Sequence, residues 1–582
     1  MSNSQSNHSR NSGVHQSQRG ISGTTPLSKS ETNPPYLLPC SLGSHQAYCS
    51  CPNQNVPEDP AAEHAFEAFI MQFPQYRLTW MLDTLRRSDY TRLSRTLPDG
   101  SRETETYVDY MGGALYPESL IRVHTEFLTS NVLGNTHSIS ASSQLSLKHV
   151  EEARTAVLRF FDAPQSVSED DSNEYTVVFT SNASGALKLV GEAYQFTRGN
   201  SFVLCEDSHN SVNGIREFAR REEANVVYIP VDRQANQGGA FNLDEAKSAL
   251  LKNKPPQGAS SLFALTGLSN ITNAKCPDAS IVTYARTLGY HTILDAAALA
   301  PTSRISLAQI PVDALVVSFY KMFGFPTGIG ALLVRKGFLR MLKSKRPWFA
   351  GGSVEVVQVP GWAYTMKGVG EEPESFEDGT INYLLLPAIT SGLRLLSMYL
   401  PYLPLRLHCL VHHLISEISQ IRHHGGDGDM ERGLRVCQVL SRKPTKTLQS
   451  LGETDDETGG IITCIFVDEA GKPFPLSFIA HSAAQEGISL RTGCMCNPGG
   501  TRALLGIQRS MKFVEDGRLM REDTGSVEFG VVRISLGLGS DWSDVWRVLQ
   551  WARKVSDAGE RREMWGRWMA RDGRSTTEDN DV

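Results

Sequence analysis

Long apolar runs are missing from this sequence: no stretch of about 18 uncharged apolar residues occurs, the length a helix needs to cross a bilayer. The richest candidate, Tyr383 to Ile415, carries Arg394 and Arg406 and is interrupted by Pro387, Pro401 and Pro404, so it reads as helices packed in a core. No membrane partner is expected. Cysteine is scarce, ten among 582 residues, too few for a disulfide scaffold, which points to free thiols in a reducing compartment, the cytoplasm by default. A basic excess is missing too. Lysine plus arginine number 57 against 63 aspartate plus glutamate, a net charge of −6, and a dedicated nucleic-acid binder is disfavoured. Acids nearly vanish from the first 50 residues, where Glu31 stands alone among 12 serines. That stretch lacks the apolar segment of a secretory signal. With Arg10, Arg19 and Lys29 it reads as a disordered start, a mitochondrial transit peptide being the alternative.

What is present is enough apolar material, 40% of residues, for a sizeable core. Order is expected to begin near Pro60, since Phe66, Phe69, Ile70, Trp80, Leu82 and Leu85 recur at helical intervals. From Tyr107 apolar runs of four to six residues alternate with helical stretches: Thr176–Thr180, Ser201–Cys205, Asn225–Pro230, Ser261–Thr266, His291–Leu294, Ala314–Ser318 and Gly330–Val334. Such runs belong to strands buried on both faces, hence to a mainly parallel sheet in an α/β fold. Beyond Pro401 a helix, a strand Ile461–Val467, a helix Leu476–Glu486, a strand near Gly530–Leu536 and a helix Trp542–Lys554 suggest a smaller α+β part. The expected organisation is a disordered tail 1–59, a helical segment 60–105, a large domain 106–400, a small domain 401–555 and a polar tail 556–582. Gly425–Gly428, Glu453–Gly460 and Phe513–Thr524 read as surface insertions.

Four places carry chemistry. Phe179-Thr-Ser-Asn-Ala-Ser-Gly-Ala-Leu187 leads from a strand into a helix through small hydroxylated residues, either a phosphate cradle or ordinary helix capping. Asp295 ends an apolar strand, where open α/β sheets bind ligands, or it caps a helix. Lys321, in Ser318-Phe-Tyr-Lys321, follows another strand and precedes a glycine-rich loop. A lysine so placed in a desolvated cleft can form a Schiff base. Finally Leu490-Arg-Thr-Gly-Cys-Met-Cys-Asn-Pro-Gly499 sets two thiols beside Arg491. No second cysteine pair at zinc spacing is evident, so no metal is expected and a reactive thiolate is the better reading. Gly493, Gly499 and Gly500 are expected to make that loop mobile. Arg533 is a second cation suited to a carboxylate.

Together with Tyr107-Val-Asp-Tyr-Met-Gly-Gly-Ala-Leu115, Gly134-Asn-Thr-His-Ser138, Glu206-Asp-Ser-His209, Ser269-Asn270 and Phe376-Glu-Asp-Gly-Thr380, these segments make residues 60 to 560 resemble fold-type I pyridoxal-phosphate enzymes of the class V aminotransferase group. Within it the chain resembles the cysteine desulfurases and, most closely, the amino-terminal domain of molybdenum cofactor sulfurases. The resemblance implies pyridoxal 5'-phosphate as cofactor, carried by Lys321, with Asp295 at the ring nitrogen and His209 stacked on the ring. Ala183, Ser184 and Ser318 would hold the phosphate and Asn270 the ring hydroxyl. Thr380 would reach a phosphate across a homodimer interface. Arg533, with Arg491, Asn135 and His137, would bind substrate, and Cys496 would attack the sulfur of L-cysteine, Cys494 being an extra thiol. Two positions depart from the desulfurase pattern: Tyr320 stands where a histidine is usual, and Ala298 where a glutamine is common. The second, β-rich domain of a full sulfurase has no counterpart in the 582 residues.

The expected function is therefore pyridoxal-phosphate-dependent cysteine desulfuration: sulfur moves from L-cysteine to Cys496 and on to an unidentified acceptor, and L-alanine leaves. The alternative keeps the cofactor but makes the protein a lyase, epimerase or aminotransferase acting on another amino acid. A non-enzymatic scaffold is disfavoured by the intact Lys321, Asp295 and His209.

Overall fold

The computed structural model describes residues 60–571 apart from 97–101, 165–173, 232–238, 240, 277, 345, 347, 369–372, 424–432, 508–511, 514–518, 522–524 and 528. The expectations for 1–59 and Gly425–Gly428, and most of Phe513–Thr524, lie outside the described residues.

Seven strands form the main sheet: β1 Tyr175–Thr180, β2 Ser201–Cys205, β3 Asn225–Ile229, β4 Ser261–Thr266, β5 Tyr290–Asp295, β6 Ala314–Ser318 and β7 Gly330–Arg335. Their order across the sheet is β1-β7-β6-β5-β4-β2-β3. β3, β2, β4, β5 and β6 run parallel, and β7 is antiparallel to both its neighbours, β6 and β1. β2, β6 and β7 are buried at every position, as strands covered by helices on both faces must be. The sequence-derived runs match these strands to within a residue at either end because a doubly buried strand has no polar face to interrupt the apolar pattern.

The carboxyl ends of the parallel strands point to one edge, where β5 delivers Asp295 and β6 delivers Lys321 through the short helix Phe319–Phe323. Asn182, at the start of helix Ala183–Ala193, accepts a hydrogen bond from the Gly185 N–H at 2.9 Å and fixes the turn after β1 at the same edge.

A second sheet lies beyond Pro401. Its strands are β8 Cys437–Val439, β9 Ile461–Phe466, β10 Arg491–Gly493 and β11 Val531–Ser535, antiparallel throughout in the order β8-β9-β11-β10. The chain ahead of the main sheet also reaches this part: Thr106–Tyr107 pairs in parallel with Ile488–Ser489, and Asp109 bridges to Ser535. The amino-terminal helices Pro60–Gln72 and Trp80–Asp89 bury Phe69, Ile70, Leu82 and Leu85. Fully buried Arg406, on helix Leu403–Ile418, bonds the Tyr76 hydroxyl and the Thr79 carbonyl and pairs with Asp83 at 2.7 Å.

Two expectations are corrected. Residues 556–582 are not a polar tail throughout, since Ala558–Arg571 is a helix that buries Met564, Trp568 and Met569. The spacing of those three apolar residues was hidden by the surrounding charges. Glu453–Gly460 is not a free surface insertion either. Asp455 and Thr458 are buried there, and Gly459 and Ile461 donate their N–H groups to Asn273 Oδ1. Among the described residues no helix is long and apolar enough to cross a membrane.

Candidate active site

At the carboxyl edge of the main sheet, Asp295, Lys321, His209, Asn270, Ala183 and Ser318 line one cavity. Asp295 is 8% exposed and accepts from the Ala297 N–H at 3.1 Å through Oδ1. Burial pushes the Lys321 amine below its ordinary pKa; Asp295 opposes the shift, and Arg533 and Arg491 add to it. A larger share of Lys321 is therefore neutral and nucleophilic at pH 7. His209 is likewise held below its ordinary range, chiefly by burial. Its Nδ1 accepts from the Ser211 N–H at 3.1 Å, which leaves the proton of the neutral ring on Nε2.

A hydroxyl-rich corner completes the cavity. The Ala183 N–H donates to Ser318 Oγ at 2.9 Å, and the hydroxyls of Ser184 and Ser211 lie 2.5 Å apart. An open helix start with several hydroxyls is a donor set for a phosphate, and a carboxylate, a poorly solvated amine and a neutral imidazole are the set for an aromatic nitrogen heterocycle bearing an aldehyde. The residues present fit pyridoxal phosphate. Tyr320, where a histidine was expected, is half-buried on the cavity wall, and Ala298 is buried beside it.

The thiol loop follows the second sheet's strand Arg491–Gly493 and is tied to Asn270 and Asn210 at the edge of the site, although neither cysteine lines the cavity. Cys496 is exposed and Cys494 partly so, and Cys496 lies within electrostatic reach of Lys321. Three carbonyls of the loop expected to be mobile have hydrogen-bond partners. The Cys494 carbonyl accepts from the Asn497 N–H at 2.9 Å, that of Met495 from Asn270 Nδ2 at 2.8 Å and that of Cys496 from the Asn210 N–H at 2.6 Å. Two glycines serve close packing there: a Cβ on Gly499 would stand 1.9 Å from the Glu206 carbonyl oxygen, and one on Gly500 2.5 Å from Asp207 Oδ1.

Arg533 is 2% exposed, donates to Asp109 Oδ1 at 2.8 Å and to the Asn270 carbonyl at 3.1 Å, and its Nε has no partner among the described residues. Arg491 takes the other oxygen of Asp109, Oδ2, at 2.9 and 2.7 Å. Both guanidinium groups are thus joined by one carboxylate that the sequence reading had quoted within a motif without giving it a role. Asn497 and Ser211 were missed as well. Ser184 lies 27 residues from Ser211, and Asp207 and Asn270 lie 290 and 227 from Asn497, so those contacts leave no local signal.

Asn135, His137 and Thr380 do not line the Lys321 cavity of their own chain. Asn135 Nδ2 donates to Thr380 Oγ1 at 3.3 Å, and His137 and the Gly379 carbonyl both lie against Gly352. These exposed groups form a separate polar surface cluster. Beneath it Glu377 is fixed by Arg154 at 2.7 and 2.9 Å and by the Phe179 N–H at 2.8 Å.

The Aminotransferase class-V family model matches residues 106–425. The chain is 29% identical over 514 residues to a molybdenum cofactor sulfurase of Arabidopsis thaliana, covering 82% of this chain and 59% of that protein. It is 31% identical over 488 residues to a molybdenum cofactor sulfurase of Aspergillus fumigatus, covering 80% and 52%. It spans a little more than half the length of these curated relatives. Among solved structures it is similar to a cysteine desulfurase from Thermococcus onnurineus, with a TM-score of 0.61 at 19% identity over 81% of this chain and 98% of that one. A cysteine desulfurase from Escherichia coli gives 0.57 at 20% identity over 80% and 97%. These likenesses carry the fold: a large, mostly parallel sheet with a smaller appended part.

Proposed function

The chain belongs to the Aminotransferase class-V family, and from that premise we propose that it is a pyridoxal-phosphate-dependent cysteine desulfurase. One observation carries the reading. Lys321, at the end of the parallel strand next to that of Asp295, lies within electrostatic reach of both Asp295 and a thiol, Cys496, on a loop tied to the same edge. A lyase or aminotransferase has no need of that thiol.

When bound, pyridoxal phosphate supplies an electron sink conjugated to the α-carbon of the substrate. Ala183, Ser184 and Ser318 would hold its phosphate, Asp295 would keep the proton on the ring nitrogen, and His209 would stack on the ring. Lys321 would hold the cofactor and, once free as a neutral amine, would take the proton from the α-carbon of L-cysteine. Arg533 and Arg491 hold the substrate carboxylate. Cys496 would attack the substrate sulfur: the carbon–sulfur bond breaks, a sulfur–sulfur bond forms on Cys496, the β-carbon takes up a proton and Lys321 returns one to the α-carbon, so that L-alanine leaves. The oxidation of sulfur to a persulfide is matched by the reduction of that carbon, and no external oxidant is needed.

The polar cluster of Asn135, His137 and Thr380 supports a homodimer in which each chain supplies these groups to its partner. Ile139, two residues from His137, and Trp362 are 96% and 98% exposed, large apolar groups that a second chain would cover. Light scattering is expected to return twice the single-chain mass of 64.1 kDa. The deciding experiment incubates purified protein with L-cysteine and measures alanine and sulfide with and without reductant. Alanine formed in equal amount to protein-bound sulfur without reductant, and to free sulfide with it, is the expected result. Pyruvate or a keto acid in place of alanine would overturn the reading.

A further inference from the structure

Met495 and Cys496 both have left-handed backbone, φ 51° and 57°, although neither is glycine or asparagine. Each such residue is strained, and a consecutive pair persists only where its surroundings fix it. The fixing groups are identifiable. Asn497 is fully buried, and its side chain faces two ways. Oδ1 accepts from the Gly500 N–H at 3.0 Å and caps the helix Pro498–Leu504. Nδ2 donates to Asp207 Oδ1 at 2.7 Å and to Asn270 Oδ1 at 3.1 Å. Binding the Asn270 oxygen turns the Asn270 amide so that its own Nδ2 meets the Met495 carbonyl at 2.8 Å. Asp207 is itself 1% exposed and is steadied by the hydroxyls of Ser269 and Thr272, both at 2.6 Å.

We propose that Asn497 is a positioning residue for sulfur transfer. Its amide nitrogen, acting through Asn270, holds Met495 and Cys496 in the left-handed conformation in which the loop is tied to Asn270 and Asn210 and the Cys496 thiol is set for transfer, while its oxygen only caps a helix. The proposal rests on the desulfurase reading and adds to it a residue that touches neither substrate nor cofactor. It predicts a split. Cofactor attachment at Lys321 and L-cysteine binding do not use the thiol and change little even though Asn270 lines the cavity, whereas transfer to Cys496 requires sulfur to meet sulfur, and a displacement of about 1 Å costs on the order of a hundredfold.

The test uses two full-length, cofactor-loaded variants. Asn497→Ser keeps an oxygen able to cap the helix and has no amide. Asn497→Asp keeps the shape and the capping oxygen and turns a second oxygen on Asp207; should it fail to fold, Asn497→Ser decides. The expected result is a KM for L-cysteine and a cysteine-induced absorbance change within about twofold of the parent, with kcat for alanine lower by about tenfold to a hundredfold. In substrate-free protein, peptide mass spectrometry after brief iodoacetamide treatment reads the labelling ratio of Cys496 to Cys494. That ratio is expected to fall at least about threefold as the loop loses its fixed conformation. A folded Asn497→Ser protein with the parental kcat and labelling ratio overturns the proposal. So does a variant whose KM, kcat and cofactor content all worsen together, the mark of a merely structural residue. If the parent makes no alanine from L-cysteine, the desulfurase reading fails separately, and the labelling ratio still decides whether Asn497 sets the loop.

Discussion

Near the amino terminus Arg86 is gripped by both oxygens of Asp544, at 2.7 and 2.9 Å, and by Asp541 at 3.0 Å, and Arg406 by Asp83, Tyr76 and the Thr79 carbonyl. Around Lys321 the density of charge is similar and its use is different. Lys321 has charged neighbours but no hydrogen-bonded partner among the described residues, Asp295 accepts a single hydrogen bond, to Oδ1, and both face a cavity. In the first region Arg86 and Arg406 each meet carboxylates, and the pairs lock helices together. In the second, donor and acceptor capacity is left over beside a cavity. Buried charge alone therefore does not mark a functional site; buried charge that faces a cavity does.

The comparison can be broken by mutation, and the largest effect belongs to the cavity. Lys321→Ala is expected to fold, to lose the visible absorbance of bound cofactor and to reduce alanine formation to background. Borohydride reduction followed by peptide mapping checks this, since a phosphopyridoxyl group on any other lysine would remove Lys321 from its role. Next comes the thiol. Cys496→Ser should lose about a hundredfold or more in alanine production while still binding L-cysteine, and Cys494→Ser should stay within about threefold of the parent. Turnover surviving the loss of both cysteines would move the protein to the lyase or aminotransferase alternative.

In the other region Arg406→Leu should destabilise the protein by about 3 kcal/mol, because Asp83 and the Thr79 carbonyl lose a buried partner. Alanine formation per folded molecule should not change. Denaturant titration followed by an assay in its absence separates the two, and a loss of activity at full stability would erase the contrast drawn above. The smallest effect is one of pH. Burial holds His408 and His413, on the Arg406 helix, down to about 4. A depressed histidine stabilises the fold fully above its unfolded pKa of about 6.5, and that stability is lost as pH falls toward 4, because the unfolded chain takes the proton first. Melting temperatures should drop across that window, and His413→Phe should flatten the slope; a slope unchanged in this variant would assign it to other groups.

Much of this was legible from the sequence. The doubly buried strands announce themselves as uninterrupted apolar runs, and Asp295 and Lys321 stand at the ends of two of them. The thiol loop was legible as two cysteines beside an arginine, but the hydrogen bonds to its carbonyls were not. The glycines that suggested motion turn out to admit Glu206 and Asp207, neighbours almost 300 residues earlier in the chain. Asp109 was equally hidden, since only the fold brings Arg491 and Arg533 to it. The helix Ala558–Arg571 was missed because its three buried residues sit within a strongly charged stretch.

The pairing of Asp109 with Arg491 also has a clock in it. The two residues are 382 positions apart, and at a synthesis rate of about 5–20 residues per second Asp109 waits on the order of 20–80 s for its partner. In the later part of that interval the main sheet can be complete while the strand Thr106–Tyr107 still lacks its partner Ile488–Ser489 and Phe69 still lacks Trp542, although Tyr76 and Asp83 can already dock on the helix that carries Arg406. A chain halted before Ile488 would hold Lys321 but neither the thiol loop nor the strand that pairs with Thr106–Tyr107.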